Sequence, residues 1–237
     1  MKKLLLHSCC GPCSVVPFDR MTHEGFSVAT AFVNSNIHPK EEYALRIGTW
    51  MDYAKTRGIP TFEGAYDPQL WEKTVGVHGG PYPLLEAAPG YRENLAQRQV
   101  RCAACYRLRF EELASLASQN GFAAISSTLT ISPYQFTPLI LAELERAAHA
   151  VGLQAVAHDF SEHYAETSRR SRELGMYRQN YCGCRYSQEE AQLERAERKA
   201  ARKVARKAAR KGGGDLPPSE HLALASLQSF LAEGTAC

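Results

Sequence analysis

Long hydrophobic runs, net charge and internal repetition are all scarce in this 237-residue chain, and each scarcity excludes something. No stretch approaches the roughly 18 apolar residues that a membrane helix needs. The first apolar stretch, Leu4-Leu5-Leu6, is cut short by His7 and a cysteine cluster, so it is not expected to act as a signal peptide, and a cytoplasmic protein is expected. Net charge is only +3, while 44% of residues are hydrophobic and 22% charged, a balance that excludes wholesale disorder. No solenoid period is visible, and the length suits one hydrophobic core with an appendage better than two independent domains.

What the chain does have is eight cysteines, and they are grouped: Cys9-Cys10-x2-Cys13, Cys102-x2-Cys105 and Cys182-x-Cys184, with Cys237 alone. A core of this size needs no disulfide framework, so tight groups argue for metal or redox chemistry. The small net charge also conceals an uneven distribution. Residues 189–211 carry nine Lys/Arg against four Glu, leaving the remainder slightly negative. Paired basic residues recur there every four positions, from Arg198/Lys199 to Arg210/Lys211, which puts a basic stripe along one helix.

Hydrophobic periodicity sets out an alternating order. Strands are expected at 3–7, 28–33, 59–62, 123–127 and 153–157. Ser14 is a candidate cap for a helix reaching about Met21. Pro39 is expected to open a helix running to Arg57 and closed by Gly58. Residues 67–89, with their glycines and prolines, read as a long shaped loop near the functional edge. Further helices are expected at about 91–119, 138–150, 166–174 and 189–211, the last stopped by Gly212-Gly213-Gly214 and followed by a small helix at 221–231. Short strands alternating with helices give an α/β class, a mostly parallel sheet covered on both faces. The boundary between core and arm is expected near 187, giving a domain at 1–187 and a basic arm and tail at 188–237.

Three cysteine groups carry the chemistry. Cys9, Cys10 and Cys13 follow the first strand, where open α/β sheets bind ligands. Thiolates there suit an iron–sulfur cluster or zinc; Cys13 is either a further ligand or a thiol of lowered pKa. Cys102 and Cys105 alone fit a redox dithiol, a zinc half-site or an iron–sulfur half-site. Together with Cys9 and Cys10 they supply the four thiolates of a [4Fe–4S] cluster, whose charge Arg101, Arg107 and Arg109 can offset. Cys182 and Cys184, separated by Gly183, suit a strained redox-active disulfide or a second metal. Asp159, after the last strand, reads equally as a metal ligand or acid and as a turn cap. Tyr134, Tyr177, Tyr181, Asn34, Asn36 and Gln179 are candidate base-stacking and hydrogen-bonding groups. The basic helix fits a phosphate backbone or a solvated face.

Five pieces in order, His7-Ser8-Cys9-Cys10-Gly11-Pro12-Cys13, Asn34-Ser35-Asn36-Ile37-His38-Pro39, Arg101-Cys102-Ala103-Ala104-Cys105-Tyr106, Ser132-Pro133-Tyr134 and Tyr177-Arg178-Gln179-Asn180-Tyr181-Cys182-Gly183-Cys184, resemble the QueH family of epoxyqueuosine reductases over residues 3–187. Gly11 stands where the family often has Ala, and Ser35 where Pro is frequent; neither removes a candidate ligand. The resemblance implies a HUP-like (Rossmann-like) three-layer α/β sandwich, with the basic helical extension outside it. It implies a [4Fe–4S] cluster on Cys9, Cys10, Cys102 and Cys105, with an additional iron ion or a redox-active Cys182–Cys184 pair beside it, and Asp159 as a weaker second-metal candidate. The implied substrate is tRNA carrying epoxyqueuosine at the anticodon loop, reduced with electrons from a separate donor. A zinc-stabilised RNA-binding protein without catalysis is the alternative. An ATP-using tRNA-thiolating enzyme of related fold would need a glycine-rich phosphate loop after the first strand, which Ser8-Cys9-Cys10-Gly11-Pro12-Cys13 lacks.

Overall fold

Five short parallel strands, β1 (Lys3–His7), β2 (Ser27–Phe32), β3 (Thr61–Glu63), β4 (Ala124–Ser127) and β5 (Gln154–Ala155), form one sheet in the order β3-β2-β1-β4-β5. The structure is a computed structural model that describes residues 1–80 and 95–210, with side chains described as far as 206. The expected glycine stop at 212–214, the helix at 221–231, Cys237 and the outer part of the 67–89 loop lie outside these residues.

The central strand shows why the sheet is covered on both faces. Leu4, Leu5 and Leu6 are all fully buried, but on alternate sides. Leu5 joins Ala31, Phe110, Ile125, Ile140 and Leu144 beneath α4 (Leu95–Gln119) and α5 (Thr137–Ala150). Leu4 and Leu6 join Met21 of α1 (Gly11–His23), with Ile131 and Phe160. On the same side as α1, α2 (Lys40–Arg57) packs Tyr43 and Trp50 against Phe32, and Trp50 Nε1 donates to Thr30 Oγ1 at 3.1 Å. A continuous apolar run is what a strand buried on both faces requires. Truncating a residue such as Leu5 to Ala carries the cavity cost of about 2–5 kcal/mol.

Several local expectations are corrected. Helix α1 begins at Gly11, and its cap is Cys10, whose Sγ accepts from the Cys13 amide at 3.2 Å. Ser14 lies inside the helix and bonds back to Cys10 O at 2.6 Å. The first part of the supposed loop at 67–89 is ordered: Asp67 caps α3 (Pro68–Thr74) by accepting from Leu70 N. Helix α2 starts one residue after Pro39 and ends on Gly58 at φ +64°, the left-handed cap its sequence predicts. Helix α6 (Tyr164–Glu173) leads into the 177–184 loop. Helix α7 (Arg185–Arg210) then starts directly after Cys184, earlier than expected, and runs without interruption past position 187.

The strand order places a reversal beside β1: the chain moves outward to β3, then returns to β4 on the other side. Crevices beyond the carboxyl ends of strands at such a reversal are the standard ligand sites of open α/β sheets. The β1–α1 turn and the segment following β4 meet there, with the Cys9 amide donating to Thr128 Oγ1 at 3.2 Å.

Candidate functional site

The β1–α1 turn folds three thiols together. Helix α1 can start at Cys10 because Cys10 is extended there and Pro12 needs no amide partner in the first turn. The Cys9, Cys10 and Cys13 sulfurs all lie within 4.8 Å of one another, a spacing that could hold a metal ion. Their titration is shared. Hydrogen bonds from the Cys10 and Cys13 thiols hold Cys9 well below the ordinary thiol range, so Cys9 carries the first negative charge. Burial chiefly raises Cys10, and the bonds it and Cys9 form with Cys13 raise Cys13. The low-pKa alternative for Cys13 is thus reversed. Such a set shares more than one charge only around a cation.

The second group is assembled from distant segments. Cys102 and Cys105 sit one turn apart on α4, and the 182–184 loop comes to rest against them, so that all four thiols line one small cavity with Asn36 and Trp71. Burial is the main cause raising each of the four, and neighbouring sulfurs add to it. Gly183 permits the approach. Its φ is +142°, and a Cβ there would stand 2.9 Å from Asn36 Nδ2 and 3.1 Å from Ile37 Cγ1. The Gly183 carbonyl accepts from His38 N at 2.8 Å and its amide donates to Ser187 Oγ at 3.1 Å. All seven described cysteines, Cys182 and Cys184 included, are free thiols.

Three buried guanidiniums face the sulfurs. Arg46 pairs with Glu42 at 2.7 Å and donates to the carbonyls of Cys182 at 2.8 Å and Tyr181 at 3.1 Å. Arg101 donates to Cys184 Sγ at 3.3 Å and pairs with Glu190 at 2.9 Å. Arg109 donates to Val33 O, Asn34 Oδ1 and His7 Nε2 at 3.2, 2.5 and 3.2 Å. Burial first, and the Arg109 charge second, push His7 down to about 3, so its imidazole is neutral. His7 Nε2 lies 3.2 Å from the Arg109 guanidinium and 3.1 Å from Val33 O, and its Nδ1 lies 3.3 Å from Ser127 Oγ.

A larger cavity of about 380 Å³ opens beside the thiols and shares Cys182, Tyr134 and Gln135 with the small one. Cys9 and Cys13 form part of its wall, Tyr164 and Tyr181 its sides, and Arg178, Arg195 and Arg198 stand at its edge. This volume falls within the range of small-ligand sites. Arg195 and Arg198 belong to α7, whose first turns are anchored: Tyr186, Ser187, Glu189 and Ala191 are buried, and Arg185 pairs with Glu72.

The other sequence candidates separate. Tyr134 packs edge-on against Tyr164. Tyr181 lies under Arg46, its hydroxyl donating to His38 O. Tyr177 donates to Glu42 at 2.6 Å. Asn34 bridges Ser8 O and Arg109. Gln179 donates to Cys10 Sγ at 2.8 Å. Among the described residues, Asn36 Oδ1 and Gln179 Oε1 are buried acceptors without a hydrogen-bond partner, on residues that line the small and the large cavity respectively. Arg107 lies outside, paired with Glu143. Asp159 is exposed, accepts from Ser161 N at 2.9 Å and lines neither cavity; it caps a turn. Sequence reasoning missed Arg46, Gln135 and Trp71, of which Gln135 donates to Cys182 Sγ and Trp71 to Cys105 Sγ. The spacing of Glu42 and Arg46 was a signal only of a helical ion pair.

Against known proteins, residues 4–190 match the family model described as epoxyqueuosine reductase QueH. Relatives bearing the same name are 33% identical in Acinetobacter baylyi, over 78% of this chain and 80% of theirs, and 34% identical in Histophilus somni, over 78% and 72%. A third, from Haemophilus influenzae, is 33% identical over 82% of this chain and 75% of its own.

Proposed function

Because the chain belongs to the epoxyqueuosine reductase QueH family, we propose that it reduces epoxyqueuosine in the anticodon loop of tRNA to queuosine. The balance is simple: both epoxide C–O bonds break, the cyclopentene double bond forms, and two electrons and two protons carry the oxygen away as water. The observation that carries this reading is an open cavity large enough for the modified ring, walled by Cys9, Cys13 and Cys182 and sharing Cys182 with the small cavity that Cys102, Cys105 and Cys184 line.

The donor set fits an iron–sulfur centre. Seven soft thiols, three buried and four half-buried, gathered in two groups, form a collection that an embedded cation stabilises. We assign Cys9, Cys10, Cys102 and Cys105 to a [4Fe–4S] cluster, with room in the ligand set for an additional iron ion. Bound there, the cluster supplies one-electron transfer, and the iron Lewis acidity.

The chain's own residues do the rest. Cys182, on the wall of both cavities, and Cys184 supply two electrons and two protons on closing to a disulfide, which an external donor reopens. Gly183 lets the two approach, while Gln135 and Arg101 orient their sulfurs. Tyr134 and Tyr164, packed edge to face in the cavity wall, each offer a ring on which a base can stack, and the free acceptor of Gln179 suits a base or ribose donor. Arg178, Arg195 and Arg198 stand where phosphates would flank the loop, and the arm from residue 188 extends that contact along the stem. Asp159, occupied as a cap, has no part in this scheme. Among the described residues no helix is long and apolar enough to cross a membrane; free thiols suit a reducing compartment, and the reading places the protein in the cytoplasm.

Anaerobically prepared protein is expected to contain acid-labile sulfide together with iron, the iron exceeding the sulfide where the additional ion is bound. It should convert epoxyqueuosine in tRNA to queuosine under reduction. Stoichiometric zinc, no visible chromophore and no conversion would instead identify a zinc-stabilised RNA-binding protein.

A further inference from the structure

The three buried guanidiniums beside the thiols differ in one respect. Arg46 and Arg101 each have a carboxylate, Glu42 and Glu190, within ion-pair distance. Arg109, only 2% exposed, has none among the described residues. Its hydrogen-bond partners are a backbone carbonyl, a side-chain amide and an imidazole, none of them an anion. A buried cation with only neutral acceptors is unstable unless another anion compensates it. Arg109 lines the small cavity together with Cys102, Cys105, Cys182 and Cys184, so the groups placed to supply that anion are sulfurs.

From this asymmetry we infer that Arg109 is the fixed counter-charge of the sulfur centre, a positioning residue that favours its more negative, reduced state. The inference rests on the cluster assignment above. The place of Arg109 in the fold makes it suited to the role. It is anchored from α4 to the carboxyl ends of β1 and β2, through His7 and Val33, so its charge cannot swing away when the centre changes state. Arg46 and Arg101 are already neutralised and would contribute less. Four thiolates around a cluster leave a net negative charge that grows by one on reduction. A rigid positive charge stabilises the second state more than the first and makes the centre easier to reduce. Net charge and hydrogen bonds to sulfur are recognised determinants of cluster potentials.

The test compares wild type, Arg109→Gln and Arg109→Lys, each prepared anaerobically, by redox titration monitored through the reduced cluster's paramagnetic signal. Removing the charge should lower the reduced-to-oxidised ratio at a fixed potential by about tenfold, a downward shift of about 59 mV for one electron. Arg109→Lys, which keeps the charge and loses the fork of hydrogen bonds, should stay much closer to wild type. An unchanged potential in Arg109→Gln with full iron content overturns the inference, as does an equal shift in both variants. If Arg109→Gln cannot be loaded, thermal melting of the metal-free proteins decides. Metal-free Arg109→Gln should melt no lower than metal-free wild type, because the substitution removes a buried charge that has no anion beside it. A metal-free Arg109→Gln that melts well below wild type makes the residue merely structural. Wild type without iron or sulfide removes the cluster assignment itself, a failure distinct from the others.

Discussion

Replacing Arg46 by Met probes the link between α2 and the 181–184 loop. The guanidinium is 2% exposed, bonded to Glu42 at 2.7 Å and to two loop carbonyls at 2.8 and 3.1 Å. Methionine fills similar space but leaves the Glu42 carboxylate, 8% exposed, bonded to the Tyr177 hydroxyl without its cation. Breaking one side of a buried pair typically costs about 3–5 kcal/mol. At about 2–4 °C per kcal/mol for a domain of this size, Arg46→Met should melt roughly 6–20 °C lower. The diagnostic is a sign reversal. Glu42→Gln should destabilise the wild-type background, where it removes a paired charge, yet stabilise the Arg46→Met background, where it removes a stranded one. Urea unfolding of the four metal-free proteins at neutral pH measures both effects. If Glu42→Gln destabilises both backgrounds equally, the pair carries no coupling and the loop is held by other contacts.

Gly183→Ala must place a Cβ against Asn36 and Ile37 at a left-handed φ, so a loss of about 1–3 kcal/mol is expected in a thermal melt, together with a displaced thiol pair; a wild-type Tm with normal turnover would refute this. Cys102→Ala or Cys105→Ala should abolish the visible absorbance of the anaerobic protein, and an unchanged spectrum removes that residue from the ligand set. Replacing Arg195, Arg198, Arg202 and Arg206 by Gln should weaken tRNA binding and reduce the slope of log K against log salt by about 0.7–0.9 for each phosphate no longer neutralised; an unaltered slope makes the arm a bystander. Burial alone would raise the Glu143 carboxyl, but Arg107 and Arg146 outweigh it and hold it below its usual range. Its stabilising contribution is therefore complete above the unfolded carboxylate's pKa and fades as pH falls through the lower, folded value. Glu143→Gln should flatten the acid limb of a stability–pH curve, and identical limbs would show that the pair is inert.

The parallel sheet was legible because Leu4-Leu5-Leu6, the 28–33 run and the 123–127 run are largely apolar, the pattern of strands buried on two faces. Helix α2 was legible from its period and its glycine stop. The cap at Cys10 was not, because a sulfur accepting an amide bond competes with a hydroxyl four residues later that looks the better cap on propensity alone. The cysteines themselves were plain, but their grouping was not. Nothing local in Cys102, Cys105, Cys182 or Cys184 says that a loop nearly 80 positions away closes on α4; that depends on the reversal at β1 and on Gly183. Arg46 escaped notice as a buried charge because its helix offers it ordinary surface ion-pair spacing with Glu42, whereas Arg109 was singled out only as one of three arginines near Cys102 and Cys105.

The route of the chain through the sheet also fixes an order of events during synthesis. Cys9, Cys10 and Cys13 leave the ribosome first, the Thr128 hydroxyl that accepts from the Cys9 amide follows more than a hundred residues later, and Cys182 and Cys184 come later still. A nascent chain therefore exposes three adjacent thiols well before their partners exist. On the proposed ligand set, loading would follow folding, and a stalled or prematurely ended chain would present those thiols unshielded to oxidants and stray metals.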